Sequence, residues 1–331
     1  MSTFVRLSLA LSLILTAAAC AESDTTTSDN AQQRPNLTAD YMACDAPLEV
    51  DIAAEAIDGF QMDKQPIWIA QPSPEVASQG MILLFHDKGE TAQDWFQQDA
   101  RASFVADALD AGLTVVALEQ TSTGDTLQWR VHDSIDVLIE GGFMTEETPL
   151  YGMGHGEGGL YVSALTQTVP MNALVISGSE GVTPLIHSEQ AVPHPATLFA
   201  LGEQDTNITL NTVVQNAAAI TDKATAEIHL RQSTPITPAR LAQTTGIDCG
   251  LAQDVVRRMA DASLLKADGT LAADPATTDW VEVLSAVEPM DMNDPADQAL
   301  VQALAQGLDT LYAGSSFAVK SGIVLDFLAA H

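Results

Sequence analysis

The sequence predicts an α/β protein with a mostly parallel central sheet, and two observations carry this prediction. Short apolar runs recur along the chain, and two of them, 81–85 and 113–118, are continuous, as strands buried on both faces are. Segments with helical spacing of apolar residues, 104–111 and 131–140, alternate with these runs. Strands that alternate with helices indicate parallel pairing through right-handed crossovers.

The predicted strands follow one another at regular intervals. They cover 48–52, 67–71, 81–85, 113–118, 150–153, 173–177, 197–201 and 226–231. Gly112 and Gly141-Gly142 end the first two predicted helices, because glycine accepts the left-handed conformation that closes a helix. Helical periodicity returns over 251–265 and 295–311, which predicts a helical segment over 232–315 added to a domain that covers 46–331.

One motif between a predicted strand and a predicted helix carries most of the functional information. It reads Gly154-His155-Gly156-Glu157-Gly158-Gly159. It resembles the nucleophile elbow of the α/β-hydrolases, G-x-S-x-G, with Gly156 at the position of the nucleophile. Glycine has no side chain and cannot attack a carbonyl carbon. The motif therefore indicates the fold of an enzyme family from which the nucleophilic side chain is missing.

The resemblance to α/β-hydrolases extends from about residue 48 to the end. It implies an α/β-hydrolase fold with helices on both faces of the sheet, and it places the catalytic acid at Asp205, although a role as a turn residue stays open. It also places the catalytic histidine at Ser315, since the chain reads Tyr312-Ala313-Gly314-Ser315-Ser316-Phe317 where relatives have Y-x-x-H-x-F. His229 and His331 follow Asp205, but neither stands in the loop after the last predicted strand.

The predicted oxyanion region is also altered. His86-Asp87 follows the first buried strand where the resemblance leads us to expect His-Gly, and Glu157 follows the elbow. Two carboxylates near a developing oxyanion oppose its stabilisation unless they point away. We expect His86 to be structural.

Three further polar residues are candidates to replace the missing catalytic groups. His155 is a possible substitute base, but residues that flank the elbow usually pack inward. Ser177 and Ser179 stand at a strand end, and we interpret them as turn residues rather than substitute nucleophiles.

A dinucleotide-binding protein is an alternative interpretation of the same glycines. Gly154, Gly156 and Gly159 fit G-x-G-x-x-G, and Glu180 stands about where a ribose-binding acid falls. Against it, the motif arrives late in the domain, and Glu157 would place a carboxylate beside the pyrophosphate.

Composition excludes some partners. The formal net charge of −31 predicts repulsion from nucleic acid and from anionic membrane surfaces, and we interpret it as a solvated acidic surface. No C-x-x-C, H-E-x-x-H or complete calcium loop is present in the sequence, so we expect no metal and no cofactor. Cys44 and Cys249 either pair or remain two buried thiols, and spacing does not decide between them.

The N-terminus predicts export. Residues 1–19 read as a signal peptide, with Arg6 before an apolar run too short to span a bilayer. Ala17-Ala18-Ala19-Cys20 resembles a bacterial lipobox, which implies lipidation of Cys20 in the outer membrane, facing the periplasm; cleavage after an A-x-A site is the alternative. Residues 20–45 are polar and predict a tether.

Two classes of function follow from these features. The favoured one is an envelope-anchored pseudohydrolase that binds a small ligand or a partner protein. The alternative is an active carboxylic ester or thioester hydrolase with a relocated nucleophile.

Overall fold

The structure is a computed structural model. It describes residues 35–44, 52, 57–62, 65–97, 99–119, 126–188, 193–205, 208–287, 290–313 and 321–331.

Eight strands form one sheet through the described part of the chain. They are β1 (Ile57–Met62), β2 (Gln65–Ala70), β3 (Gly80–Phe85), β4 (Leu113–Leu118), β5 (Leu150–His155), β6 (Ala173–Ser177), β7 (Ala196–Gly202) and β8 (Ala226–Arg231). Their order across the sheet is β1-β2-β4-β3-β5-β6-β7-β8. β1 pairs with β2, and β2 with β4, in antiparallel fashion, whereas all later pairs are parallel.

This strand order and the turn that follows β5 define the α/β-hydrolase fold, and they confirm the predicted fold class. The predicted strands from 67–71 onward are confirmed, with small shifts at their ends. The predicted strand over 48–52 lies outside the described residues except for Ile52, and the sequence did not predict β1.

Eleven helices are described. They are α1 (Asp94–Gln97), α2 (Asp99–Asp110), α3 (Thr126–Glu140), α4 (Glu157–Leu165), α5 (Thr183–Ile186), α6 (Leu210–Thr221), α7 (Pro238–Thr245), α8 (Cys249–Asp261), α9 (Trp280–Ser285), α10 (Pro295–Ala313) and α11 (Ser321–Ala329). No helix among these described residues is long and apolar enough to cross a membrane.

The sheet buries a separate cluster on each face. Alternation along β3 sends Met81, Leu83 and Phe85 to the cluster that α3, α4 and α6 cover. Ile82 and Leu84 point to the opposite cluster, which α2 and α11 cover. The central strands are buried on both sides, which is why their sequences are continuous apolar runs rather than alternating ones.

The helices α7 to α10 bury a third cluster of their own. Its members include Leu241, Val256 and Leu308, and it shares no buried residue with the two clusters on the sheet. Leu37, Tyr41 and Met42 from the segment 35–44 pack against it. The segment 35–44 thus packs against the added helices.

A disulfide secures this attachment. Cys44 and Cys249 are bonded, with their Cα atoms 5.9 Å apart. Close by, the Tyr41 hydroxyl donates to the Ile236 carbonyl oxygen at 2.6 Å, and Gln253 Nε2 donates to the Met42 carbonyl oxygen at 2.9 Å.

Candidate functional site

The turn between β5 and α4 has the geometry of a nucleophile elbow. Gly156 caps α4 with φ 55° and ψ −119°, a conformation that side-chain-bearing residues rarely adopt. A Cβ at Gly154 would overlap the Gly158 backbone, and a Cβ at Gly158 would overlap the carbonyl oxygen of Phe85. The glycines therefore let β3, β5 and α4 approach closely, as the elbow requires.

The space beside Gly156 is taken by another residue. A Cβ built at Gly156 would overlap the carboxylate of Asp87, which comes from the loop after β3. Gly156 supplies no side chain at the nucleophile position, but the space there is not empty. The Asp87 side chain from the loop after β3 fills it.

The same carboxylate accepts two backbone hydrogen bonds. The N–H of Lys88 and the N–H of Glu157 both donate to Asp87 Oδ1 at 2.7 Å. These donors come from the loop after β3 and from the residue after the elbow, which are the two sources of an oxyanion hole in this fold. From the sequence we predict that Asp87 and Glu157 oppose an oxyanion here unless their carboxylates point away. In the structure the Asp87 carboxylate accepts from both N–H groups.

The Glu157 side chain is directed elsewhere. Its carboxylate is 48% exposed and lies 3.6 Å from Lys88 Nζ, whose side chain is 80% exposed. An ion pair this exposed contributes little stability, because water screens both charges. It links the loop after β3 to the first residue of α4 across the surface of the site.

An ion pair between the buried Arg101 and the partly exposed Glu90 holds the loop that carries Asp87. The N–H of Asp87 donates to Glu90 Oε2 at 2.8 Å, and Glu90 Oε1 accepts from Arg101 Nη2 at 2.6 Å. Arg101 is only 3% exposed and lies over the Trp95 ring, 5.1 Å from its centroid. Losing Glu90 would remove the ion pair of a buried cation, so this arrangement stabilises the loop.

His86 lies between the loops that follow β3 and β4. It is 3% exposed. Its Nδ1 donates to the Asp87 carbonyl oxygen at 2.8 Å, and its Nε2 lies 3.4 Å from Glu119 Oε1. Glu119 in turn accepts from the N–H of Ala92 at 2.9 Å. The ring joins the ends of β3 and β4 behind the site.

His155 contacts a serine on the neighbouring strand. Its Nδ1 lies 3.2 Å from Ser177 Oγ, and the two residues stand side by side in the sheet. Burial lowers the pKa of His155, and the positive charge of Arg101 lowers it further, while the carboxylates of Asp87 and Glu90 act in the opposite direction. The imidazole is therefore held neutral near pH 7.

Three other residues considered for the triad, Asp205, His229 and His331, have described positions. Asp205 lies just beyond the carboxyl end of β7, with its N–H 3.3 Å from the Gly202 carbonyl oxygen. His229 lies within β8, opposite Ala200, and the His331 ring packs against Phe327 with the ring centroids 4.9 Å apart and the planes tilted by 55°. Ser315 and Cys20 lie outside the described residues.

The three glycines that fit the dinucleotide-binding motif allow close contacts within the protein itself. The places that side chains at Gly154, Gly156 and Gly159 would take are filled by Gly158, Asp87 and Ser179 respectively. Glu180, the proposed ribose ligand, accepts a hydrogen bond from the N–H of Thr209, one residue before α6. An anion at the α4 N-terminus would compete with the Asp87 carboxylate, so the geometry does not favour a pyrophosphate there.

Metal ligands are not grouped in the described ranges. Within them, no three His, Cys, Asp or Glu side chains are arranged so as to hold a metal ion.

Comparisons with known proteins give structural similarity without sequence similarity. No protein-family profile matches the chain, and no curated protein sequence is similar to it. Est1E from Butyrivibrio proteoclasticus is 10% identical over 54% of this chain and 89% of its own, with a TM-score of 0.41. The Pyrococcus furiosus esterase Pf2001 is 12% identical over 61% of this chain and 88% of its own, with a TM-score of 0.43. A putative dienelactone hydrolase from Klebsiella pneumoniae is 16% identical over 54% of this chain and 87% of its own, with a TM-score of 0.39.

Identities and scores this low say nothing about the chemistry of this chain. The assignment of fold comes instead from the strand order and from the conformation of Gly156 after β5. On those two observations, the protein has the α/β-hydrolase fold.

Proposed function

We propose that this protein is a non-hydrolytic protein with the α/β-hydrolase fold, exported and anchored in the bacterial envelope through Cys20, where it binds a small ligand or a partner protein. The observation that carries this proposal is the position of the Asp87 carboxylate. It fills the space of the missing nucleophile and accepts both backbone donors that would otherwise stabilise an oxyanion.

The electrostatics of the site support the absence of hydrolysis. Ester hydrolysis through a tetrahedral intermediate needs donors that are free to bind the negative oxygen as it develops. A resident carboxylate both occupies those donors and repels the new charge. The site thus opposes the transition state that an esterase must stabilise.

A hydrolase with a relocated nucleophile is the second candidate, and one contact favours it. The 3.2 Å separation of His155 Nδ1 and Ser177 Oγ is a serine–imidazole pair in which the imidazole is held neutral. However, Ser177 is only 2% exposed, so an acyl substrate does not reach its hydroxyl without rearrangement. Ser179 is 5% exposed, and its hydroxyl accepts from the N–H of Gly181.

One experiment separates the two candidates. Purified wild-type protein is incubated with a fluorophosphonate probe, its intact mass is measured, and a panel of short acyl esters is assayed beside it. The proposal predicts no adduct and no turnover above the rate of a heat-denatured sample. A stoichiometric adduct that disappears in the Ser177→Ala variant would establish the relocated nucleophile instead, and an adduct on any other serine would equally overturn the proposal.

The proposed location in the cell envelope is supported by sequence features alone. Ala17-Ala18-Ala19-Cys20 and the polar residues that follow resemble the start of an exported lipoprotein. The strongly negative formal charge of −31 makes nucleic acid an unsuitable partner.

A further inference from the structure

Exposed apolar side chains gather at one edge of the sheet, far from the elbow in the strand order. Five large apolar side chains are exposed in the described part of the chain, and three of them lie on β8 and on α6, the helix before it. They are Leu230, which is 41% exposed, Leu210, which is 46% exposed, and Val214, which is 48% exposed. Apolar side chains that are exposed together mark interaction surfaces, whereas single ones are ordinary.

Leu210 and Val214 lie on the outer side of α6. Asn216 marks the inner side, because its Nδ2 donates to Thr183 Oγ1 of α5 at 3.0 Å, and α5 also contacts α4, which packs on β3, β5 and β6. With 3.6 residues per turn, Leu210 and Val214 stand about 120° and about 160° around the helix axis from Asn216. They therefore face the side on which β8 ends the sheet.

β8 is the last strand of the sheet in the described part of the chain, where β7 is its one partner strand. The carbonyl oxygen of Arg231 accepts from the N–H of Glu203, just after β7, at 2.8 Å. Backbone groups alternate in direction along a strand, so Ile228 and Leu230 direct their N–H and C=O groups to the outer edge. An edge of this kind is a template for pairing with another chain.

We propose that β8 pairs in antiparallel fashion with β8 of a second copy of this chain, about a two-fold axis at His229, so that one continuous sheet runs through a homodimer. The inference goes beyond the proposed function, since it concerns the edge of the sheet and not the elbow.

The sequence of β8 is complementary to itself in this register. An axis at His229 places Ile228 opposite the partner's Leu230 as a hydrogen-bonded pair, which uses the outward backbone groups of both residues. The same axis places Glu227 opposite the partner's Arg231, and the pair occurs twice because the axis relates the two copies. Opposite charges directly across an antiparallel pair are stabilising.

The two neighbouring registers that keep the ladder lose this charge pairing. An axis at Ile228 places Glu227 opposite the partner's His229, and an axis at Leu230 places Arg231 opposite the partner's His229. A strand from a different protein would not require β8 to be complementary to itself. The charges therefore favour a second copy of this chain as the occupant of the edge.

Pairing in this way also covers the apolar side chains. Ile228 packs against the cluster on the α6 face of the sheet, so Leu230, two residues later, lies on that same face. The outer side of α6, with Leu210 and Val214, stands beside it. A two-fold axis at the edge brings both copies of this surface together and removes it from water.

Cysteine cross-linking of the full chain tests the position of the axis. His229→Cys places the two thiols in a non-hydrogen-bonded pair, where Cα atoms stand about 4.5 Å apart, within the range of a disulfide. Thr225→Cys is the matched control at an exposed position four residues from the axis, where the two thiols would stand about 26 Å apart. After mild oxidation, His229→Cys should give a covalent dimer on a non-reducing gel and Thr225→Cys should not.

Sedimentation equilibrium tests the surface itself. The wild type should be a dimer, and Leu230→Lys should raise its dissociation constant by about tenfold or more, because each dimer loses two buried leucines and lysine on an edge strand opposes pairing. Glu227→Arg should weaken association as well, since it sets like charges opposite each other. Leu160→Lys is the matched control, because Leu160 is 42% exposed but lies on α4, and it should leave the constant unchanged.

A wild type that is a monomer at every concentration measured would overturn the inference, and slow exchange of the Ile228 and Leu230 amides in such a monomer would show that another segment covers the edge. A dimer that neither Leu230→Lys nor Glu227→Arg weakens, or that Leu160→Lys weakens equally, would place the contact elsewhere. Cross-linking of Thr225→Cys as readily as of His229→Cys would refute the register. The proposed absence of hydrolysis is decided separately, by the fluorophosphonate and ester assays.

Discussion

The backbone N–H of Glu157 donates a 2.7 Å hydrogen bond to the carboxylate of Asp87, a residue 70 positions earlier in the chain. This contact joins the loop after β3 to the turn after β5 at the point where the fold ordinarily performs acyl transfer. A side chain at position 156 and the side chain of Asp87 would occupy the same space. A change at one of these two positions therefore affects the other.

Restoring the nucleophile alone should destabilise the protein. In Gly156→Ser, a side chain is forced to φ 55°, which costs roughly 1–2 kcal/mol, and its overlap with Asp87 adds about 1–3 kcal/mol. In the double variant with Asp87→Ala, the overlap is gone. Urea denaturation of the wild type, both single variants and the double variant should show a double variant that is more stable than the sum of the single effects predicts. Additive effects would show that the two side chains do not share the space.

Reviving hydrolysis should require more than the two sequence repairs. If Ser315 stands at the histidine position, Gly156→Ser with Ser315→His restores nucleophile and base but leaves the donors occupied by Asp87. Only the triple variant that also carries Asp87→Ala or Asp87→Gly should hydrolyse a short acyl ester above background. Asp205→Asn should then reduce the gain, because the members of a triad act as a unit. Activity in Gly156→Ser alone would place the base elsewhere, with His155 and His229 to be tested next.

The stability of the protein should fall in mild acid partly because of His155. Its folded pKa lies below 6.5, so the unfolded chain binds the extra proton and stability is lost as the pH drops below about 6.5. His194, whose pKa burial also lowers, acts in the same direction. Replacing His155 with Asn should flatten the dependence of the unfolding free energy on pH below that value, by up to about 1.4 kcal/mol per pH unit.

Ser177→Ala is the control for this prediction. It removes the hydroxyl near Nδ1 but keeps the titrating ring, so it should preserve the slope. A slope that is the same in the wild type and in His155→Asn would show that this histidine titrates alike in the folded and unfolded chain.

The disulfide should contribute substantially to stability. Cys44 and Cys249 are separated by 205 residues, and the chain-entropy model gives about 5 kcal/mol for a loop of that size. Cys44→Ser with Cys249→Ser should therefore lower the unfolding free energy by several kcal/mol, and a reducing agent should destabilise the wild type to a similar degree but leave the double variant unchanged. A mass map that finds both thiols free in the wild type would contradict the pairing.

Cys20 should determine where the protein is found. Lipidation predicts that the wild type fractionates with membranes and that Cys20→Ser is released into the soluble periplasmic fraction. Wild-type protein that is already soluble after osmotic shock would favour simple cleavage after the A-x-A site.

The fold was predictable because its determinants are local. Buried central strands such as 81–85 and 113–118 must be apolar on both faces, and the glycine spacing at 154–158 follows from the close approach of β5 and α4. β1 was missed because Ile57–Met62 reads IDGFQM and lacks a clear alternating pattern. The third cluster, under α7 to α10, depends on contacts between distant segments such as 35–44 and 249–261.

The direction of the Asp87 side chain could not be predicted from spacing. It depends on how the loop after β3 folds around Glu90 and Arg101 and on a contact with a residue 70 positions away. One signal was nevertheless present in the sequence. A carboxylate stands at 87, where the resemblance leads us to expect glycine, and a glycine stands at 156, where it leads us to expect a side chain. The side chain gained in the loop after β3 thus takes the space of the side chain lost in the turn after β5.

The backbone amides of Lys88 and Glu157 show directly whether the Asp87 carboxylate accepts hydrogen bonds from both. In a proton–nitrogen NMR spectrum of the wild type, both should resonate downfield and exchange slowly with solvent, since each donates to an ionised carboxylate at 2.7 Å. Both signals should move upfield together in Asp87→Ala and should not respond to Asp94→Ala. Amide signals that exchange rapidly in the wild type, or that are unchanged in a folded Asp87→Ala variant, would show that the carboxylate does not occupy the oxyanion site.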